Sequence, residues 1–240
     1  MTTCDTMVSV MSKHVFGILI SVALVWLSAC VAAQPLPLPA DVVMTAERGP
    51  QQMIAFLYRD AQGARLVNSL SVARDPPVPL DPPDQQVWLG ALPLPADLNL
   101  VDVSGVQYGM VIAQGDWQAE GQYGPDGAWP RALASPRLRP FTPETVDLAT
   151  LLRGNHYEGQ VVRVRAVLLI SSGASLLVEE VGSGGVPTAR ARQIKLLFSE
   201  RDQEALARLQ SSGSVRFGQV EVIARWQQGR LETLMLIPWP

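Results

Sequence analysis

The C-terminal third carries the clearest pattern. Gly159 to Ile170 (GQVVRVRAVLLI) puts Val162, Val164, Ala166, Leu168 and Ile170 on one side of a strand, with Arg163 and Arg165 on the other. A Ser171-Ser172-Gly173 turn leads to a second strand over Ala174–Glu180. A Gly-rich loop, Gly182 to Pro187, precedes a third strand over Arg192–Phe198. The period then changes. Ser199 stands as an N-cap before Glu200, Asp202 and Glu204, and Leu206 and Leu209 complete a short amphipathic helix that ends near Ser211-Ser212-Gly213. Two more strands, Val215–Ala224 and Arg230–Ile237, are joined by a Gln227-Gln228-Gly229 hairpin turn.

The preceding stretch is also β-patterned. Met53–Tyr58 and Arg65–Val72 read as strands around a turn at Ala61-Gln62-Gly63. Asp75 to Pro83 is too rich in proline for a central strand. Gln86–Leu92, Val106–Gln114 and Trp117–Tyr123 follow, and Gly124-Pro125-Asp126-Gly127 is a turn before a return over Ala128–Leu133. Thr142 caps an expected connecting helix through Leu152, with Pro143 at its first position.

The order β-β-β-α-β-β over residues 155–238, opening on Gly159-Gln160-Val161-Val162-Arg163-Val164-Arg165-Ala166, resembles the OB-fold. The resemblance implies a five-stranded barrel with its helix between strands three and four. It says little of function, because one such barrel serves many ligands. An internal echo links the halves. Val106-Gln107-Tyr108-Gly109-Met110-Val111 matches Val215-Arg216-Phe217-Gly218-Gln219-Val220, 109 positions later, and each is followed by Trp-Gln, at Trp117 and Trp226. A duplicated OB-like pair follows if the echo is structural; chance similarity between two strands is the alternative.

Val15 to Leu27 is an uncharged run behind Lys13 and His14, shorter than a membrane span and suited to a signal peptide. Leu27-Ser28-Ala29-Cys30 resembles a bacterial lipobox, which implies acylation of Cys30. Val31-Ala32-Ala33 offers an ordinary signal-peptidase site instead, and an uncleaved anchor is the third reading. The expected organisation is a signal peptide over 1–29, a Pro-rich tether over 30–49, a β domain over 50–141, a connecting helix over 142–154 and an OB-like domain over 155–240. Alternating Pro35, Pro37 and Pro39 favour an extended tether of low order.

Composition then removes chemistry. Beyond Cys30 there is no cysteine, and His156 is the single histidine after the leader, so a Cys/His zinc site and a cysteine nucleophile are excluded. Gly-x-Ser-x-Gly and a Walker loop are missing. Asp81 and Asp84 in the Pro-rich loop, and the adjacent Glu179 and Glu180, read as solvated surface rather than as acid/base pairs. No catalytic residue, metal or cofactor is expected. Charge is uneven: residues 34–144 carry 7 Arg against 12 acids, and residues 145–240 carry 11 basic groups against 9 acids. Arg163, Arg165, Arg192, Lys195 and Arg216, with Trp226 as a stacking surface, are the candidate ligand contacts. The expected role is a membrane-tethered, non-enzymatic binding or scaffold module, anchored by lipid, with another envelope protein as a candidate partner. A nucleic-acid-binding envelope protein is the alternative, against which the acidic balance of the whole chain argues.

Overall fold

A computed structural model describes residues 34–45, 48–118, 120–199 and 202–239. In chain order, a short helix α1 (Pro39–Thr45) precedes β1 (Gly49–Asp60), β2 (Gly63–Val67), the two-residue strands β3 (Leu70–Ser71) and β4 (Val78–Pro79), β5 (Val87–Gly90), β6 (Val101–Val103), β7 (Val106–Gln118) and β8 (Ala132–Pro140). Then come β9 (Glu144–Thr145), a helical turn α2 (Leu148–Leu151), β10 (Val161–Ser171), β11 (Ala174–Val178), β12 (Gln193–Leu197), helix α3 (Gln203–Ala207), β13 (Gln210–Ser212), β14 (Val215–Gln227) and β15 (Arg230–Pro238). The fold is mainly β, with two closed five-stranded barrels, the second OB-like.

The two barrels are wired alike. In the first, β1 pairs antiparallel with β2 and β7, β2 with β5 and β7 with β8, and a parallel β5–β8 contact closes the ring. In the second, β10 pairs antiparallel with β11 and β14, β11 with β12 and β14 with β15, and a parallel β12–β15 pairing closes it. The echo has a geometric basis. Val101↔Tyr108 and Val103↔Val106 in β6–β7 become Gln210↔Phe217 and Ser212↔Val215 in β13–β14, each 109 positions later. A Cβ on Gly109 would lie 2.8 Å from Leu100, and one on Gly218 would lie 3.0 Å from Leu209, the same contact at the same spacing. Glycine at both places lets a leucine pack directly against the strand.

Several boundaries differ from the pattern reading. β7 is one strand rather than two. A bulge at Gly115 interrupts its pairing with β8 between Gln114 and Asp116, and a Cβ there would lie 2.6 Å from the Ala134 carbonyl oxygen. The return strand is β8, later than Ala128–Leu133. The expected strand over Arg65–Val72 stops at Val67 and resumes as β3. The connecting helix shrinks to α2, capped by Asp147, whose carboxylate accepts the Thr150 N–H at 2.6 Å; Pro143 leads into β9, which Glu144 opens, instead. Helix α3 begins after Asp202, not Ser199.

Each barrel has its own interior, and a third core lies between them. Met53, Ala55 and Leu57 of β1 point into the first barrel, while Ile54, Phe56 and Tyr58 point out against Val161, Ile223, Leu234 and Met235 of the second. The run MIAFLY lacks alternation because β1 is buried on both faces. β3, in the β2–β5 connection, pairs parallel with β15 and so joins the second barrel's sheet. Residues 35–240 form one compact unit.

The Pro-rich segment is no extended spacer from Pro35 onward. Leu38 and Val42 are buried, the Ile54 N–H donates to the Pro37 carbonyl at 2.9 Å, and the Ala40 N–H donates to Asn68 Oδ1 at 2.9 Å. The leucines between the prolines supply the apolar surface that holds it. Among the described residues, no helix is long and apolar enough to cross a membrane.

Candidate binding grooves at the barrel seam

In OB-folds, ligands use the outer face of strands two and three with the flanking loops. In the second barrel these loops are minimal: Ser172-Gly173 joins β10 to β11, and Gln228-Gly229 joins β14 to β15. In the first barrel that face, made by β2 and β5, is covered by the chain itself. The segment between β7 and β8 lays Trp129 on Trp88, with ring centroids 4.6 Å apart and 23° between planes. The Trp129 indole N–H donates to Gln86 Oε1 at 3.1 Å. Arg65 lies beneath, its guanidinium 4.6 Å from the Tyr58 ring centroid and 5.3 Å from that of Trp129, and it donates to both Asp60 oxygens at 3.1 and 2.8 Å. Burial works to raise the Asp60 carboxyl, but the Arg65 hydrogen bonds and charge outweigh it and hold it below the usual value.

The candidate contacts scatter. Arg163 and Arg165 do share the outer face of β10, and both reach Glu221 of β14, at 3.3 and 2.7 Å. Arg165 also stacks over Trp239, 4.7 Å from the ring centroid. Arg192 pairs with Glu179 at 3.0 Å, and that hydrogen bond leads the effects holding the Glu179 carboxyl low. Lys195 is exposed on β12, between the inward Ile194 and Leu196. Arg216 is exposed near the start of β14. Trp226 is a correction: it is 4% exposed and packs inside the second barrel. Its alternation with Val220, Val222 and Ala224 assigns it to the inward face. Asp81 is a second correction. It is partly buried, accepting the N–H groups of Asn68 and Ser69 at 2.6 and 3.1 Å and the Ser69 hydroxyl at 2.7 Å. Burial pushes its carboxyl above the usual value, and those hydrogen bonds only partly offset the rise. Asp84 is exposed. Cys30 lies outside the described residues.

Two grooves follow the seam. One, of about 410 Å³, is walled by Leu38, Asn68, Ser69 and Asp81 on one side and by Leu197, Phe198, Arg225 and Leu234 on the other. Arg225 forms ion pairs with Asp41 and, at 2.8 Å, with Glu232. The other groove, of about 200 Å³, is mostly apolar, with Phe56, Tyr108, Met110, Phe141, Ile223 and Met235 around Arg163. Pattern reading missed both, because each draws its walls from segments far apart in the chain. Among the described residues, no three His, Cys, Asp or Glu side chains cluster as metal ligands would. Comparison with known proteins returns nothing: no family model, no curated protein and no solved structure matches the chain.

Proposed function

We propose that this protein is an exported, lipid-anchored module that binds or scaffolds a partner without catalysing a reaction. The observation that carries the binding role is the seam. Two barrels of one topology are joined by a shared core, and the grooves lie along that joint rather than on the usual barrel face. The anchor rests on Leu27-Ser28-Ala29-Cys30 behind an uncharged run. Four residues separate Cys30 from Pro35, a spacer that reaches at most about 18 Å when extended. An acylated Cys30 tethers the chain stably only with more than one acyl chain.

The test is fractionation of cells expressing the full chain. Cys30→Ala should move the protein from the membrane to the soluble exported fraction, and an unchanged membrane fraction would overturn the anchor. Nucleic-acid binding draws less support, because the whole chain is acidic, with a formal net charge of −3, and the candidate basic residues are spread on or beside β10, β12 and β14. Titration of the exported chain with single-stranded oligonucleotide at low salt decides it, since phosphate-driven binding weakens steeply as salt rises.

A further inference from the structure

We infer that the smaller seam groove binds a short-chain monocarboxylate, its acyl chain between the barrels and its carboxylate on Arg163. The walls supply the first half of the argument. Phe56, Met110, Phe141, Ile223 and Met235 leave an apolar space of about 200 Å³. That is roughly the volume of seven water molecules at about 30 Å³ each, and below the size of a drug-like pocket. Charge supplies the second half. Arg163 and Arg165 share one carboxylate, that of Glu221, so two positive groups meet a single negative one. Arg163 reaches Glu221 through Nη1, whereas its Nε is buried with no hydrogen-bond partner among the described residues. A buried donor without an acceptor is costly. A carboxylate is the group that meets a guanidinium edge with two parallel hydrogen bonds. A mostly apolar groove whose one charged wall residue is Arg163, itself sharing a single carboxylate with Arg165, therefore selects an anion on a short hydrocarbon chain over a neutral or cationic analogue.

This inference rests on the binding reading above and gives it a ligand class. It is independent of the anchor, because the titration reads the groove and fractionation reads Cys30. The chain carrying Cys30→Ala, which leaves it without an acyl anchor, is titrated with sodium hexanoate by calorimetry and by NMR, with hexan-1-ol and hexylamine as matched probes. Hexanoate should bind saturably, and the alcohol and amine about tenfold more weakly or worse, the loss expected for a charge-assisted hydrogen bond. Arg163→Gln should remove the preference for hexanoate. Should that variant fold poorly, Val101→Glu serves instead: Val101 is 48% exposed at the rim, and a carboxylate there should repel hexanoate with little effect on hexan-1-ol. Equal binding of hexanoate and hexan-1-ol, or no saturable binding of hexanoate, overturns the inference. Tighter binding of the tripeptide Gly-Gly-Leu than of hexanoate also overturns it, and would make the ligand a peptide C-terminus.

Discussion

The Ser71 hydroxyl donates a 2.6 Å hydrogen bond to the Asp202 carboxylate, joining side chains 131 residues apart, both of them buried. Ser71 belongs to β3, in the first barrel's β2–β5 connection, and Asp202 precedes α3 of the second barrel. Burial pushes the Asp202 carboxyl above its ordinary value of 3.8, and the Ser71 bond only partly counters it. A carboxyl whose pKa is higher folded than unfolded contributes stability that is present below the unfolded value and lost as pH rises through the folded one. Asp60 has the opposite sign: its contribution is present above the unfolded value and lost as pH falls through the depressed one. Asp202→Asn keeps an acceptor for Ser71 and removes the ionisation. Its stability relative to wild type should therefore rise between about pH 3 and about pH 7, while that of Asp60→Asn should fall. Urea unfolding at both pH values checks this, and parallel pH curves for the two variants would refute it.

The cover over the first barrel gives a second prediction. Gly124 holds φ +73°, and a Cβ there would strike the Trp129 ring that stacks on Trp88. Gly124→Ala combines backbone strain with overpacking and should destabilise the protein by about 1–3 kcal/mol. Near-UV circular dichroism should lose intensity as the tryptophan pair separates, with the far-UV spectrum unchanged. A wild-type near-UV spectrum would show that the cover is loosely held.

How much of this was legible in the chain varies by element. The second barrel was readable because Val162 to Ala166 alternates cleanly and the turn signals fall between strands. The repeat was visible in Gly109 and Gly218, although pairing register was needed to show that each faces a leucine nine positions earlier. Helix starts were misplaced because several Ser, Thr and Asp residues compete to cap, and tertiary contacts choose among them. The seam was hidden in plain view: Met53–Tyr58 is apolar at every position, the mark of a strand covered on both faces, yet nothing local names what covers it. The grooves were illegible for the same reason, since Arg163 meets Phe56 and Phe141 only once the barrels dock.

The shared core predicts that the barrels do not behave as separable domains. A fragment beginning at Thr142 would expose Val161, Ile223, Leu234 and Met235 and lose the β3–β15 pairing. It should bind a hydrophobic dye and aggregate. The whole chain should unfold in one urea transition, coincident by tryptophan fluorescence and far-UV circular dichroism. Two resolved transitions would refute the dependence of one barrel on the other.

The last prediction concerns the N-terminal arm, which the prolines mark as a spacer and the packing makes a wedge. Leu38 and Val42 are 3% and 2% exposed, and Asp41 pairs with Arg225 of β14. Burying two aliphatic side chains is worth about 3–6 kcal/mol as an upper estimate. For a chain of this size each kcal/mol moves the melting temperature by about 2–4 °C. The double variant Leu38→Asp/Val42→Asp should therefore melt at least about 6 °C below wild type. Asp41→Asn, which leaves Arg225 paired with Glu232 alone, should fall between the two. Differential scanning calorimetry of the whole chain measures both. A double variant that melts with the wild type would mean that the arm lies on the seam without holding it together, and would restore the spacer reading.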